Sequence, residues 1–317
     1  MSENGCLKEN SLCGLKSVVM QNDVVQLTMI PECGAKIISL IYRLTDYNFL
    51  WRNPEGIYSK NIPFVSGFDE CIPSIGECEW QGTHIPDMGW VQSLPWSYEA
   101  LEMSDEHVSV ATRIASGQCE IERKISLKAG ESCFRFEYEA TNLSENKIEL
   151  LWAAHPVLNA NRYIRILLPP DVTRVTSLDN QKYDWPITVE NGKSINLSIV
   201  GEYGYGIGYK VFTPKLKEGW CVAVNYVTGE MIGFSFNPNE IPFIGIWLNT
   251  GQWHRHYCMA LEPTTSPTDY LDKAVSQFGE YLSLGPNKSR KWHMNIVLGR
   301  ITGKIKGITP QGKVIQK

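Results

Sequence analysis

The chain contains no run of 18 apolar residues, which excludes a membrane-spanning helix. It carries no surplus of basic charge. Thirty Lys and Arg against 34 Asp and Glu leave a net charge of −4 and a pI near 5.9, so no general field draws it to nucleic acid or to an anionic membrane. Its nine cysteines, an odd number, include no CxxC pair, which argues against a disulfide framework and against a zinc site. The opening MSENGCLKENSLCGLK lacks the apolar stretch of a signal peptide. The thiols are therefore expected to be reduced and the protein cytoplasmic. There is no repeat of fixed period, no low-complexity tract and no Pro/Ser linker. Long helical periodicity is also scarce, with only 217–220 and SPTDYLDKAVSQF (266–278) open to a short turn or helix.

What the chain has in quantity is strand-like patterning. VVQLTMI (24–30), AKIISLIYRL (35–44) and NFLW (48–51) are short β-rich runs broken by turn residues. CEIERKISL (119–127) and CFRFEYEATNL (133–143) alternate with period two around KAGES, the signature of a hairpin. Further strands are expected at IELLWAAH (148–155), WCVAVNYV (220–227), MIGFSFN (231–237), FIGIWLN (243–249), YCMALEP (257–263) and WHMNIVLG (292–299). With 43% apolar residues there is material for one large core. The reading is all-β, a large antiparallel β-sandwich forming one domain over 1–317, with 1–15 a loosely ordered N-terminal extension.

Unusual residues collect between the strands. The stretch 61–98 is rich in Pro, Gly and Trp and poor in periodicity, as binding loops are. Ten Trp and fourteen Tyr suit a cleft in which aromatic faces stack on the C–H faces of sugars, although packing explains any single one of them. His155, in LLWAAHPVLNA, ends an apolar run, where an imidazole can titrate near neutrality and donate a proton. Glu262, in YCMALEPTTSPTD, also ends one, so desolvation is expected to bring it toward general-base strength. A backbone-bonded His and a structural salt bridge are the plainer readings of each.

Four segments together resemble the galactose mutarotase-like superfamily, the aldose 1-epimerases and their relatives. They are GFDECIPSIG (67–76), IPDMGWVQSLPW (85–96), LLWAAHPVLNA (150–160) and FNPNEIPFIGIWLNTGQWHRHYCMALEPTTSPTD (236–269). The resemblance runs in order from about residue 30 to residue 298. It implies the supersandwich fold, no cofactor and no metal, and a free sugar as substrate. It also implies His155 as the general acid and Glu262 as the general base of ring opening. Where relatives read PDHG or PQHG, with a histidine on sugar hydroxyls, this chain has Met88, a poor hydrogen-bonding partner. His84, four residues earlier, is the candidate substitute. Two arginines of the phosphosugar epimerases are replaced by Gln92 and Val65, which disfavours a phosphorylated substrate.

Asp69 and Glu70 are candidate ligands of sugar hydroxyls, with turn capping as the alternative. Arg52, Gln92 and Trp247 are further candidates to line the cleft. His254 and His256, in WHRHY, would share one face of a strand, but no third metal ligand has convincing spacing. Two other functions remain open at this level. One is a sugar sensor of the same fold without turnover. The other is a glycoside-cleaving enzyme using Glu262 with Asp69 or Glu70, at roughly 5–9.5 Å. Monomer and homodimer are both compatible with the sequence.

Overall fold

The structure, a computed structural model, describes residues 5–54 and 65–317. Its larger sheet has twelve strands, and eleven follow one path. In spatial order these are Cys6–Leu12, Leu15–Gln21, Val25–Ile30, Lys36–Tyr42, Phe68–Cys71, Ala153–Asn159, Tyr257–Thr264, Phe243–Thr250, Gly208–Phe212, Arg174–Ser177 and Lys182–Asp184. The smaller sheet has eight, Ile164–Leu167, Trp220–Asn225, Glu230–Phe236, Ser289–Arg300, Cys133–Asn142, Cys119–Lys128, His107–Ser116 and Ser97–Met103. Neighbouring strands pair antiparallel along both paths.

The two sheets share one apolar core. In Cys133–Asn142, Phe134, Phe136, Tyr138 and Ala140 point inward while Arg135, Glu137 and Glu139 stay toward water, the period-two alternation of a strand covered on one side. Phe68 of the large sheet stacks on Phe136 of the small one at 5.9 Å between ring centroids. The middle of the large sheet is different. Ala153–Asn159 and Tyr257–Thr264 are buried almost end to end, because their outer face is covered too. A second, smaller cluster of Cys71, Ile75, Ile85, Met88, Leu151, Ala153, Leu271 and Ala274 lies there. The site described below is on this outer face.

Several expectations change in three dimensions. The N-terminal extension is not loose over 6–12, since Cys6–Leu12 adds an edge strand to the large sheet with a residue-by-residue register against Leu15–Gln21. The stretch 61–98, of which 61–64 fall outside the described residues, contains the Phe68–Cys71 strand, a hairpin of Cys78–Trp80 with Thr83–Ile85, and a 3-10 turn at Val91–Ser93. IELLWAAH splits in two because Leu151 N–H donates to Pro73 O and Trp152 N–H to Thr265 Oγ1, outside any strand ladder. His254 and His256 stand in a turn and not on a strand. Helix is confined, among the described residues, to short turns, the longest spanning Leu271–Lys273 and Ala274–Phe278. None of these is long and apolar enough to cross a membrane.

The loop that brings Met88 to the outer face depends on Gly89. It has φ +75°, and a Cβ there would fall 2.1 Å from Ile72 O. Trp90 N–H donates to that same carbonyl at 2.9 Å. Gly89→Ala therefore both strains the left-handed backbone and breaks a close backbone approach. A loss of about 1–3 kcal/mol from the conformation alone is expected in urea unfolding. An unchanged midpoint would refute this reading of the loop.

Candidate active site

The register of five neighbouring strands brings the chemistry together. Val157 pairs with Ala260 and Ala153 with Thr264, which sets His155 opposite Glu262 between them. Gly245 pairs with Glu262, and Phe212 with Gly245. On the other side Asp69 pairs with His155. Cross-strand partners share a face, so one row across the outer face reads Asp69, His155, Glu262, Gly245, Phe212. The core residues of these strands are the intervening ones, Ala154, Leu158, Leu261, Ile244, Ile246 and Val211.

Above this row opens a cleft of 560 Å³ lined by His155, Lys210, Trp247, Trp253, Asp269 and Met88 among others. His155 Nε2 lies 3.5 Å from Glu262 Oε1. Glu262 is 0% exposed and does not itself line the cleft; it is buried behind His155 and Lys210, which do. Its other oxygen, Oε2, accepts from Lys210 Nζ at 2.5 Å, and the same ammonium is 3.1 Å from Asp269 Oδ1. Lys210 is opposite Trp247 in the register, two pairs along from Phe212 and Gly245 and so on the same face. It reaches Glu262 diagonally because Gly245 has no side chain in the way, and a Cβ there would be 3.1 Å from Glu262 Oε2. Asp269 is held from behind, its carbonyl accepting from Ile75 N–H, Gly76 N–H and Ser74 Oγ–H.

The charges follow from this geometry. Burial, and then the Lys210 ammonium, push His155 down to about 4, against weaker upward pulls from Asp69 and Asp269. Titration near neutrality is thus not what the site provides, and the resting imidazole is uncharged. Burial works against the Lys210 ammonium as well, but Asp269 and Glu262 together outweigh it and hold its affinity for the proton above the usual lysine range. Burial raises Asp269, with Lys210 opposing. The Cys71 thiol beside them is pushed far up by burial and the nearby Asp69 and Glu262 carboxylates, so it stays protonated.

A stability test follows for His155. Its folded value lies below its unfolded one, so the unfolded chain binds a proton between about pH 6.5 and pH 4 that the folded chain refuses. Stability must fall as pH drops through that window, by up to ~3 kcal/mol. His155→Gln should lose this part of the dependence in urea unfolding compared at pH 7 and pH 4.5. A constant difference between the two proteins at both pH values would contradict it.

The remaining candidates divide by placement. Trp247 lines the cleft, its ring 6.0 Å from that of His155 and 5.8 Å from Trp253. Met88 does too, 8% exposed, with its sulfur 3.8 Å from Cys71 Sγ. Val65 is also at the cleft, and His254 and His256 form part of its rim. Asp69 shares the row but turns to Lys36 Nζ at 2.7 Å and does not line the cleft. Glu70, one residue on, faces the core instead, where Arg123, Tyr138 and Trp152 all donate to it. It cannot be a sugar ligand, and the glycoside-cleaving reading loses both of its proposed second carboxylates. His84 does not reach the cleft; it is exposed on the hairpin beside Glu77 and Glu79. Gln92 is buried in the 3-10 turn, its carbonyl packed on Gly34, and Arg52 is exposed away from the lining. Among the described residues no group of three His, Cys, Asp or Glu is placed to hold a metal ion.

Sequence reasoning missed Lys210, and it left Asp269, the last residue of a quoted segment, without a role. In GYKVF (208–212) the lysine alternates with Tyr209 and Val211 and so looks like an ordinary solvent-facing residue. Nothing local distinguishes an outer face covered by loops from one open to water.

Comparison with solved structures adds the fold. A proposed aldose 1-epimerase from Klebsiella pneumoniae superposes with a TM-score of 0.72 at 14% identity, over 92% of this chain and 83% of that one. A galactose mutarotase-like protein from Clostridium acetobutylicum does so at 0.68 and 14%, over 94% and 99%. Another from Lactobacillus casei gives 0.64 and 13%, over 89% and 100%. The fold is galactose mutarotase-like. The sequence itself matches no protein-family model and no curated protein. The galactose mutarotase-like sheet is what aligns His155 with Glu262, since their strands are neighbours in it only by topology.

Proposed function

We propose that this protein is a cofactor-independent isomerase of the aldose 1-epimerase type, interconverting the anomers of an unphosphorylated sugar. One observation carries the reading. His155 and Glu262, far apart in sequence, meet at 3.5 Å, His155 lining one sugar-sized cleft with Trp247 and Trp253 and Glu262 buried immediately behind it. Ring opening needs a base at the anomeric hydroxyl and an acid at the ring oxygen. Glu262 takes the hydroxyl proton on Oε1. His155, having taken up a proton from water, gives it from Nε2 to the ring oxygen. The C1–O bond of the ring breaks with its electron pair leaving on that oxygen, and the C1 aldehyde forms. Rotation about C1–C2 and the reverse transfers close the other anomer and return both residues to their starting forms.

The charges on the described residues that line the cleft favour an uncharged sugar. Lys210, the ammonium in the cleft lining, is already engaged by two carboxylates, and Glu77 and Asp87 add negative charge at the rim. Among the described lining residues a phosphate dianion would meet these carboxylates and an ammonium that is already paired, which sets its desolvation cost against it. The test is polarimetry or NMR of freshly dissolved single anomers of several aldoses with and without protein. Faster equilibration of at least one is expected; no acceleration with any of them, while the sugars still bind, would leave a binding protein without turnover.

A further inference from the structure

We infer that Lys210 is a positioning residue for this proposed reaction, a clamp that holds Glu262 by one oxygen in the empty cleft and moves its hold to Asp269 when the sugar's anomeric hydroxyl arrives. The inference rests on the functional reading above, but its geometry stands without it. Lys210 Nζ touches both carboxylates, Glu262 Oε2 at 2.5 Å and Asp269 Oδ1 at 3.1 Å, so releasing one leaves the other as anchor. Glu262 Oε1 has no hydrogen-bond partner among the described residues and is the oxygen turned to His155. His155 Nδ1 likewise has none. An arrangement built only for stability would satisfy such buried atoms.

The clamp also explains how the acid is charged at the right moment. The groups facing His155 are Asp69 and Cys71 from its neighbouring strand, Glu262 from the other, Lys210 and Trp247 beyond, and Asp269 from the covering loop. Of these Lys210 is the cation that opposes an imidazolium. With the ammonium on Glu262 that carboxylate is already neutralised, and His155 stays uncharged. When the ammonium withdraws to Asp269, Glu262 is left as the unshared neighbour of His155, and a proton on the imidazole gains a counter-ion. Sugar entry and proton uptake are thereby linked. An exposed lysine could not do this, because water would screen it.

The experiment follows the imidazole of His155 by NMR, assigned with His155→Gln, in the full chain. In the wild type it should titrate near the value of about 4 that the empty cleft imposes. In Lys210→Met its midpoint should move up by about one pH unit or more, while Lys210→Arg stays close to wild type. Should Lys210→Met fail to fold by circular dichroism, Lys210→Gln removes the charge and keeps hydrogen-bond donors. With an aldose that is turned over, wild-type kcat/KM should rise steeply toward acid pH, and Lys210→Met should level off below its new midpoint. An unmoved His155 midpoint in the charge-removing variants, or pH profiles of identical shape, would overturn the clamp. The titration needs no turnover, so a moved midpoint in a protein that accelerates no aldose sinks the reaction, and the clamp's role in it, and leaves only the coupling of Lys210 to His155.

Discussion

Glu262→Gln should abolish the acceleration of anomer equilibration while leaving sugar binding in place. The loss expected for a general base is about 10²–10⁴-fold. The amide matches the carboxylate in shape and still accepts from Lys210, which keeps Asp269 as its second partner. What it cannot do is take the hydroxyl proton on the oxygen now turned to His155. Polarimetry gives the rate, and ligand-observed NMR with the same sugar shows whether binding survives. If Glu262→Gln keeps half or more of the wild-type acceleration, Glu262 is not the base. Asp269, the other carboxylate at Lys210, would then be the residue to replace.

The second large effect belongs to stability. Arg123→Met is expected to cost about 3–5 kcal/mol, because it strands a buried carboxylate. Arg123 and Glu70 are both 0% exposed and 3.0 Å apart. Tyr138 and Trp152 donate to Glu70 as well, and Arg123 also donates to Ala35 O at 2.6 Å. The network ties the small sheet, through Arg123 and Tyr138, to the large one, through Glu70, with Trp152 joining from the segment just before Ala153–Asn159. Burial already strains the charge on Glu70 and raises its affinity for a proton in spite of the arginine. Without Arg123 it must take up a proton or the chain must open. Pairing the change with Glu70→Gln should recover part of the loss, since the uncompensated charge is then gone. Urea midpoints of the single and double variants decide it. A double variant no more stable than Arg123→Met would show that the charge was not the cause.

Asp69 and Glu70 show where reading the sequence stops. Both stood in GFDEC as equal candidates for sugar hydroxyls, yet adjacent residues on a strand point to opposite faces. Glu70 went to the core and Asp69 to the outer face, and which side held the cleft was set by strands more than 80 residues away. His84 failed for a related reason. It sits on a local hairpin whose register turns it to Glu79 at 3.0 Å, and its distance of four residues from Met88 says nothing about that.

The strand runs, by contrast, were legible from hydrophobic alternation alone, because each strand's period reports only whether its own faces are wet or dry. The hairpin around KAGES, the paired core strands and the all-β class follow from such local signals. His155 and Glu262 were singled out because a polar residue closing an apolar run is a local feature too. That they face each other depends on the register of two strands brought together from distant parts of the chain. That Lys210 joins them depends on a third strand and on a glycine at 245. Local sequence determines which segments extend and which side chains are costly to bury. Only the tertiary sheet decides which of those side chains share a face, because strand order and register are settled by the packing of the whole core.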